Sequence, residues 1–547
     1  MKNKQENHIF ICQAGYRTTG VKKAVLNFKT DEFAVIGEDG NVRMRGKTAH
    51  FGYDELSGDD VYIADFSDFA EVGRFFISAD GVRSYLFDIN ENVYSEPLRK
   101  VMKAFYFLRC GCGLDERFAG KFRHASCHTE YARIYGKPDE PCDVSGGWHD
   151  AGDYGRYVTA GAVSAAHLLY AFEMFPKVFV GQNLGIPESG GELPDVLAEC
   201  RVELEWLMKM QDTDGGVYHK VTTMKHAPFV MPEDDREPLY LFAVSSMAAA
   251  DLAAVCSLAS RIYSPYDKDF SDRLIAAAEK SAEWLKINKN FVPFHNPADC
   301  NTGVYGEHDD ADNRFWALSE LYCATGREEY HELMKSAMER NFSRIQLGYG
   351  SVGGLGALGY ILSDRADKDE DIIAELRGGF LREALELKNN SEGCGYGAAM
   401  SAREYGWGSN FNLMKNAMIF LIADFIGGAD DYGALAEEQL HILFGKNALG
   451  FSYVSGVGMN CMKHPHLRTA EADGIEECLP GFVSGGPNAN LDDEAARLFI
   501  PRGTPPMKCY ADNMECYSLN EITIYWNSSA AFVLAGITDR QRRTKGK

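Results

Sequence analysis

The periodicity of the apolar residues changes character near residue 93. From Ile9 to about Asn92, short β-rich segments (IFICQAGY, KKAVLNF, EFAVIG, DDVYIADF, GRFFISA, RSYLFDI) alternate with turn clusters such as GEDGN and SGDD, the pattern of a small β-sandwich. Beyond Tyr94 come long helical stretches, among them AGAVSAAHLLYAFEMF, LYLFAVSSMAAADLAAVCSLASRIY and NLMKNAMIFLIADFIGG. Two units are expected, a β domain over residues 1–92 and a mainly α domain over 93–547, and 547 residues exceed what one ordinary core serves. Several helices are rich in Ala and Ser and lack a broad charged face, as helices packed on more than one side do. Long Gly-, Asp- and His-containing loops lie around 110–157, 212–238, 293–312 and 452–515. Long loops in a compact helical domain usually carry function.

Charge narrows the classes of partner. The 79 Asp plus Glu outnumber the 56 Lys plus Arg, and the resulting formal charge of -23 repels phosphate backbones and anionic membrane surfaces. Nucleic acid and membrane are therefore not expected as partners. The apolar run from Leu239 to Ala259 is broken by Ser245, Ser246 and Asp251 and reads as a buried helix rather than a membrane span. The start, MKNKQENHIF, contains no apolar run of signal-peptide length, which is the pattern of a cytoplasmic chain; a trimmed leader would make it a secreted one. The 14 cysteines have neither the density nor the spacing of a disulfide scaffold and are expected as thiols, mostly buried.

Two segments carry acid–base chemistry. In GGWHDAGDYGRYV, Asp150 and Asp153 stand three residues apart just before a helix, so both carboxylates can face one point. An arbitrary pair of this spacing is more often a helix cap and a turn residue. Here Gly146, Gly147 and Gly152 allow close backbone approach, and Trp148 offers a flat face for a sugar ring. Near the other end, YADNMECYSLNEITIYWNSS sets Glu521 among Tyr510, Asp512, Tyr517, Asn520, Trp526 and Asn527. Desolvation there would keep the carboxyl protonated near neutral pH. One carboxylate that deprotonates water and a distant carboxyl that protonates a leaving oxygen are what inversion at a glycosidic bond requires.

At these residues the sequence resembles glycoside hydrolase family 9, the inverting cellulases, in the branch with an N-terminal immunoglobulin-like domain. Its C-terminal pattern is met by Tyr510, Asp512, Tyr517, Glu521, Thr523, Asn527 and Ser528. A second pattern is met by Ser452, Val454, Ser455, Gly458, Asn460, Pro465, His466 and Arg468, with Leu467 where many members carry another His. The likeness extends through QAGYRTTGVKKAVL, AFYFLRCG, GGVYHKVTT at 215–223 and YGWGSN at 405–410. It implies an immunoglobulin-like β-sandwich followed by an (α/α)6 barrel, with Asp153 as base, Asp150 holding the attacking water and Glu521 as acid. It also implies a β-glucan or cello-oligosaccharide substrate, bound by His466 and Arg468, with Trp148, Trp407 and Tyr517 as further candidate contacts.

Cys110, Cys127, His128 and His149 are a donor set that suits tetrahedral Zn(II), although their spacing alone is that of unrelated residues. The resemblance implies a structural zinc held by these four, with Cys112 a neighbour able to replace Cys110. In NTGVYGEHDDADNRFWAL, Thr302, Asp309, Asp310 and Asp312 resemble a family loop that binds Ca(II), with Asn313 in place of the usual Glu. A solvated acidic loop is the alternative there. The competing functions are an exo-acting β-glucosaminidase or β-glucosidase on the same scaffold, a zinc hydrolase, and a sugar-binding protein without catalysis.

Overall fold

The computed structural model describes residues 6–545. The N-terminal unit is a sandwich of two antiparallel sheets. One has the order Ile9–Phe10, Lys23–Leu26, Asp59–Asp65, Ala49–Asp54; in the other, Val42–Lys47 pairs with Glu32–Gly37, which pairs with Gly73–Ala79, and both Val82–Arg83 and Phe87–Ile89 join that last strand. Alternation explains the layers: in Phe87–Ile89, Phe87 and Ile89 are buried while Asp88 between them faces solvent.

The helical unit is built of inner and outer helices in turn along the chain. The outer ones are Ser95–Phe107, Asp195–Lys209, Lys268–Ile287, Glu328–Met338, Glu370–Glu392 and Tyr432–Leu443, and the inner ones Val158–Met174, Ser246–Tyr263, Ala311–Thr325, Gly353–Leu362, Ser409–Phe425 and Ile524–Lys545. Their composition sorts them. In Val158–Met174 every residue but Glu173 is buried, and Gly and Ala let its neighbours approach from all sides. Glu370–Glu392 buries only Leu376, Phe380, Ala384, Leu387 and Ser391, one stripe at helical spacing. The last inner helix packs against the first and closes the ring. No helix among the described residues is long and apolar enough to cross a membrane, the segment after Leu239 included.

Strands that the sequence pattern does not announce lie in two of the long loops and at the start of the apolar run from Leu239, whose helix begins only at Ser246. Lys137–Cys142, Ala132–Ile134, Tyr240–Leu241, Lys220–Thr222 and Arg156–Tyr157 form, in that order, a third sheet at the N-terminal end of the inner helices. Most of these strands are two or three residues long, too short for a period to show.

Buried charge joins the sandwich to the barrel. Arg17 forks the carboxylate of Glu437 (Nε to Oε1 2.7 Å), whose side chain also lies within reach of Tyr94 Oη, and Tyr94 in turn meets His441 at 2.9 Å. Lys23 and Lys446 share Glu438 at 2.7 and 3.2 Å. Removing one partner of such a pair strands the other charge in the interior, which costs about 3–5 kcal/mol. Arg17→Ala should therefore lower the stability of the whole chain by about that amount, read as a shift in the urea midpoint; an unchanged midpoint would show that the interface is not held by this pair.

Candidate active site

Inner helices start at one end of the barrel, and the segments leading into them build a cavity of about 610 Å³ there. Asp150 and Asp153 precede Val158–Met174, Tyr305 precedes Ala311–Thr325, Tyr349 precedes Gly353–Leu362, Trp407 precedes Ser409–Phe425 and Glu521 precedes Ile524–Lys545, and all six line that cavity. Asp153 and Glu521, set far apart in sequence, thus open onto one space.

Backbone contacts weld the turn at 150–155 to the C-terminal segments. Ile524 N donates to Asp150 O (2.8 Å), Arg468 N to Gly152 O (3.1 Å), and His466 N to Asn520 O (2.8 Å). Gly152 is required by proximity, since a Cβ there would stand 2.0 Å from the His466 carbonyl oxygen. Arg468, expected to contact sugar, spends two of its donors on this framework: Nε reaches Ala227 O and Nη1 reaches Gly152 O, both at 2.7 Å.

The three carboxyl groups are tuned differently. Burial works against the charge of Asp153, but His226 (Nδ1 to Oδ2 3.1 Å), the positive charge of Arg468 and the Gly155 N–H outweigh it and bring this carboxyl down to about 2. Asp150 is pushed up to about 8 by burial, with the Asp153 charge adding to it and the hydrogen bond donated by Tyr305 Oη to Oδ2 (2.5 Å) opposing it. Its other oxygen, Oδ1, is buried and has no protein partner among the described residues. Glu521 is raised well above the usual carboxylate range by burial and by Asp153 and Asp150. One carboxylate held ionised and one carboxyl held protonated thus share the cavity at neutral pH.

The rim is aromatic. Trp407 (47% exposed) and Tyr517 (39%) lie 5.4 Å apart between ring centroids, and Tyr517 continues to His466 (5.8 Å) and His466 to Phe229 (5.3 Å). Trp407, Tyr517 and His466 therefore stand where a sugar ring can stack or hydrogen-bond, as expected from the sequence. Trp148 does not. It is 1% exposed, packs on Phe105, and donates its indole N–H to Glu199 at 2.9 Å, so it anchors the turn from beneath and offers no face to a ligand. Residues that the sequence reading passed over are His226, Tyr157, Tyr305, Tyr349 and Tyr525. Nothing in the local sequence marks His226, whereas Tyr305 sits in a Gly-flanked VYG within the acidic loop.

Cys110, Cys127, His128 and His149 are brought together beside the turn, all buried, with one donor atom from each within 4.8 Å of the others; Cys112 is not part of the group. His128 Nε2 faces Asp235 Oδ2 at 3.3 Å, an outer carboxylate that fixes the ring so that Nδ1 points to the shared centre. The proposed calcium donors are not assembled in this way. Thr302 Oγ1 accepts from the ammonium of Lys220 (2.8 Å), Asp309 pairs with Arg340 (2.6 Å), and Asp310 pairs with Arg314 (2.9 Å). Among the described residues Asp312 has no cationic partner of this kind; it and Asp251 reinforce burial in pushing Glu307 up to about 9. Cations of the protein itself thus stand against three of the four.

Comparison with known proteins settles the lineage. The family model described as glycosyl hydrolase family 9 matches residues 94–534, and the model of the cellulase N-terminal ig-like domain matches residues 4–84. The chain belongs to glycosyl hydrolase family 9. A cellodextrinase of Butyrivibrio fibrisolvens is 45% identical over 97% of this chain and 100% of its own, and endoglucanase D of Acetivibrio thermocellus is 33% identical over 98% of this chain and 84% of its own. A single-mutant thermostable endoglucanase from Alicyclobacillus acidocaldarius superposes with a TM-score of 0.92 at 33% identity, covering 97% of this chain and 100% of that one. The fold is thus an N-terminal immunoglobulin-like β-sandwich followed by an (α/α)6 barrel. The chain is a glycoside hydrolase.

Because His226 helps keep Asp153 ionised, His226→Ala should raise the carboxyl's pKa by about one unit or more. Activity needs the ionised base, so the acid limb of the kcat/KM profile should move to higher pH, and an unmoved limb would separate His226 from Asp153.

Proposed function

We propose that the enzyme hydrolyses β-1,4-glucosidic bonds of cellodextrins and cellulose-type glucans with inversion. The observation that carries this reading is the opposite tuning of Asp153 and Glu521 within one cavity. Asp153 takes a proton from a water that Asp150 Oδ1 helps to hold. The oxygen of that water bonds to the anomeric carbon on the face opposite the leaving group, through an oxocarbenium-like transition state. The bond from that carbon to the glycosidic oxygen breaks as Glu521 delivers its proton to the oxygen. Asp153 ends protonated, Glu521 ends ionised, and solvent restores both.

The substrate class follows from the cavity and from the relatives. Apart from Asp150, Asp153 and Glu521, no carboxylate lines the cavity among the described residues. An ammonium at C2 would find no further carboxylate to pair with, which favours neutral glucosyl units over glucosamine. The relatives named above, a cellodextrinase and an endoglucanase, point the same way.

The Cys110, Cys127, His128 and His149 group would hold Zn(II) in a structural role, since four protein donors complete a tetrahedral shell and leave no position for water. Burial raises the Cys110 thiol, but Cys127, the Arg156 charge and the His149 ring together bring it well below the ordinary range, while the same contact and burial push Cys127 up; a bound ion would hold both as thiolates. His149 adjoins Asp150, so a bound ion would brace the turn. A zinc hydrolase is disfavoured by the burial of all four donors outside the cavity lining.

On cellotetraose, proton NMR of fresh product should show the α-anomer first, and Asp153→Asn or Glu521→Gln should each cut turnover by about 10³-fold or more; an initial β-anomer, or near-normal rates in a folded variant, would refute the assignment. Zinc analysis should find about one ion per chain. Chelation should then lower Tm and activity together, and a zinc-free protein of unchanged Tm and activity would remove the structural metal from this account.

A further inference from the structure

Lys220, in the GGVYHKVTT segment, is fully buried, and no carboxylate accepts a hydrogen bond from it. Its ammonium donates to Asn296 Oδ1 (2.7 Å), Thr302 Oγ1 (2.8 Å) and the Gly303 carbonyl (2.7 Å), and Cys300 Sγ lies at 3.7 Å. Phe242, Phe294 and Tyr157 surround it with ring centroids at 4.7, 5.5 and 5.6 Å, which supply cation–π attraction in place of an anion. Burial brings its pKa down to about 8, so the site keeps a charge that it solvates poorly. Keeping such a residue in the interior is unfavourable unless its hydrogen bonds do something a hydrophobic side chain would not.

Those bonds converge on one short stretch of chain. Lys220 holds Thr302 and Gly303, the neighbouring His219 holds the Val304 carbonyl through Nε2 at 2.8 Å, and Thr222 meets Thr302 at 2.8 Å. The next residue is Tyr305, whose backbone lies in the left-handed region at φ 47, a conformation rare for a bulky residue and kept only where its surroundings over-determine it. From that conformation Tyr305 Oη reaches Asp150 Oδ2. The strand that carries Lys220 also pairs, Lys220 opposite Tyr157, with the strand that follows the Asp150–Asp153 turn. One rigid element thus touches both ends of the Tyr305–Asp150 contact. Gly303 and Tyr305 line the cavity, whereas Lys220 lies behind its wall.

We infer that Lys220 is a positioning residue for hydrolysis, a cationic clamp on residues 302–305 that holds Tyr305 in its strained conformation and so orients Asp150 toward the attacking water. The inference rests on the catalytic reading given above. Lys220 touches no substrate, and its influence passes through Tyr305.

Lys220→Met keeps the length and apolar stem and removes all three donors. With cellotetraose it should lower kcat by about 10- to 100-fold, the scale of a misplaced catalytic group, and leave KM within about twofold. Tyr305→Phe should lower kcat as well, and the double variant should be no slower than the slower single one, because both changes abolish the same contact. Full kcat in folded Lys220→Met, or effects that multiply in the double variant, would overturn the clamp. Should Lys220→Met fail to fold, Thr302→Val, which keeps the ammonium but removes one acceptor, takes its place: a lowered kcat that does not compound with Tyr305→Phe supports the clamp, and an unchanged or compounding kcat overturns it. Asp153→Asn, run alongside, separates the two levels. An active Asp153→Asn sinks the catalytic reading itself, whereas an inactive one beside a fully active Lys220→Met sinks the clamp alone.

Discussion

The short hydrogen-bonded contact between the turn at 150–155 and the strand-like segments at 466–468 and 520–524 is the interaction on which the rest of the site depends. Without it the base belongs to one end of the chain and the acid to the other. Ile524 N on Asp150 O and Arg468 on Gly152 O fix the backbones, and only a residue without a Cβ can stand where Gly152 meets the His466 carbonyl. The ring of helices brings these segments into range, and the contact sets their relative position to within a hydrogen-bond length. Arg468 contributes in two ways, since its donors hold the turn and its charge lowers Asp153.

Support for the turn comes from below as well. Trp148 and its neighbours are fastened by Glu199 and Glu203, and Glu199 is itself paired with Arg109 at 2.8 Å in the interior. Beside them the Cys–His group ends at His149, adjacent to Asp150. Buried charge is expensive to maintain, and here it is concentrated around the one turn whose geometry must not drift. Burial also does the electrostatic tuning: the same loss of water that raises Glu521 leaves Asp153 ionised only because His226, Arg468 and the Gly155 amide stand against it.

Much of this was legible in the residues. The switch from alternating to helical periodicity divides the chain near residue 93, and the glycines around Asp150 and Asp153 mark a place of close approach. What stayed hidden was set by tertiary contact. A Trp beside an Asp pair reads equally as a platform or an anchor until its burial is known, and the meeting of Trp148 with Glu199 decides it. Asp309 and Asp310 look like metal donors until Arg340 and Arg314 arrive beside them. His226 lies in an unremarkable loop, and its partner is 73 positions away in sequence. The third sheet escaped because strands of two residues have no period to read.

The closure of the helical ring by its first and last inner members has a consequence for folding. The proposed base precedes the first inner helix and the proposed acid precedes the last, so a chain in which the first and last inner helices have not yet met holds the two carboxyls apart. Contacts between such distant segments form slowly relative to local helices. Hydrolysis by this protein would in effect report that the ring has closed.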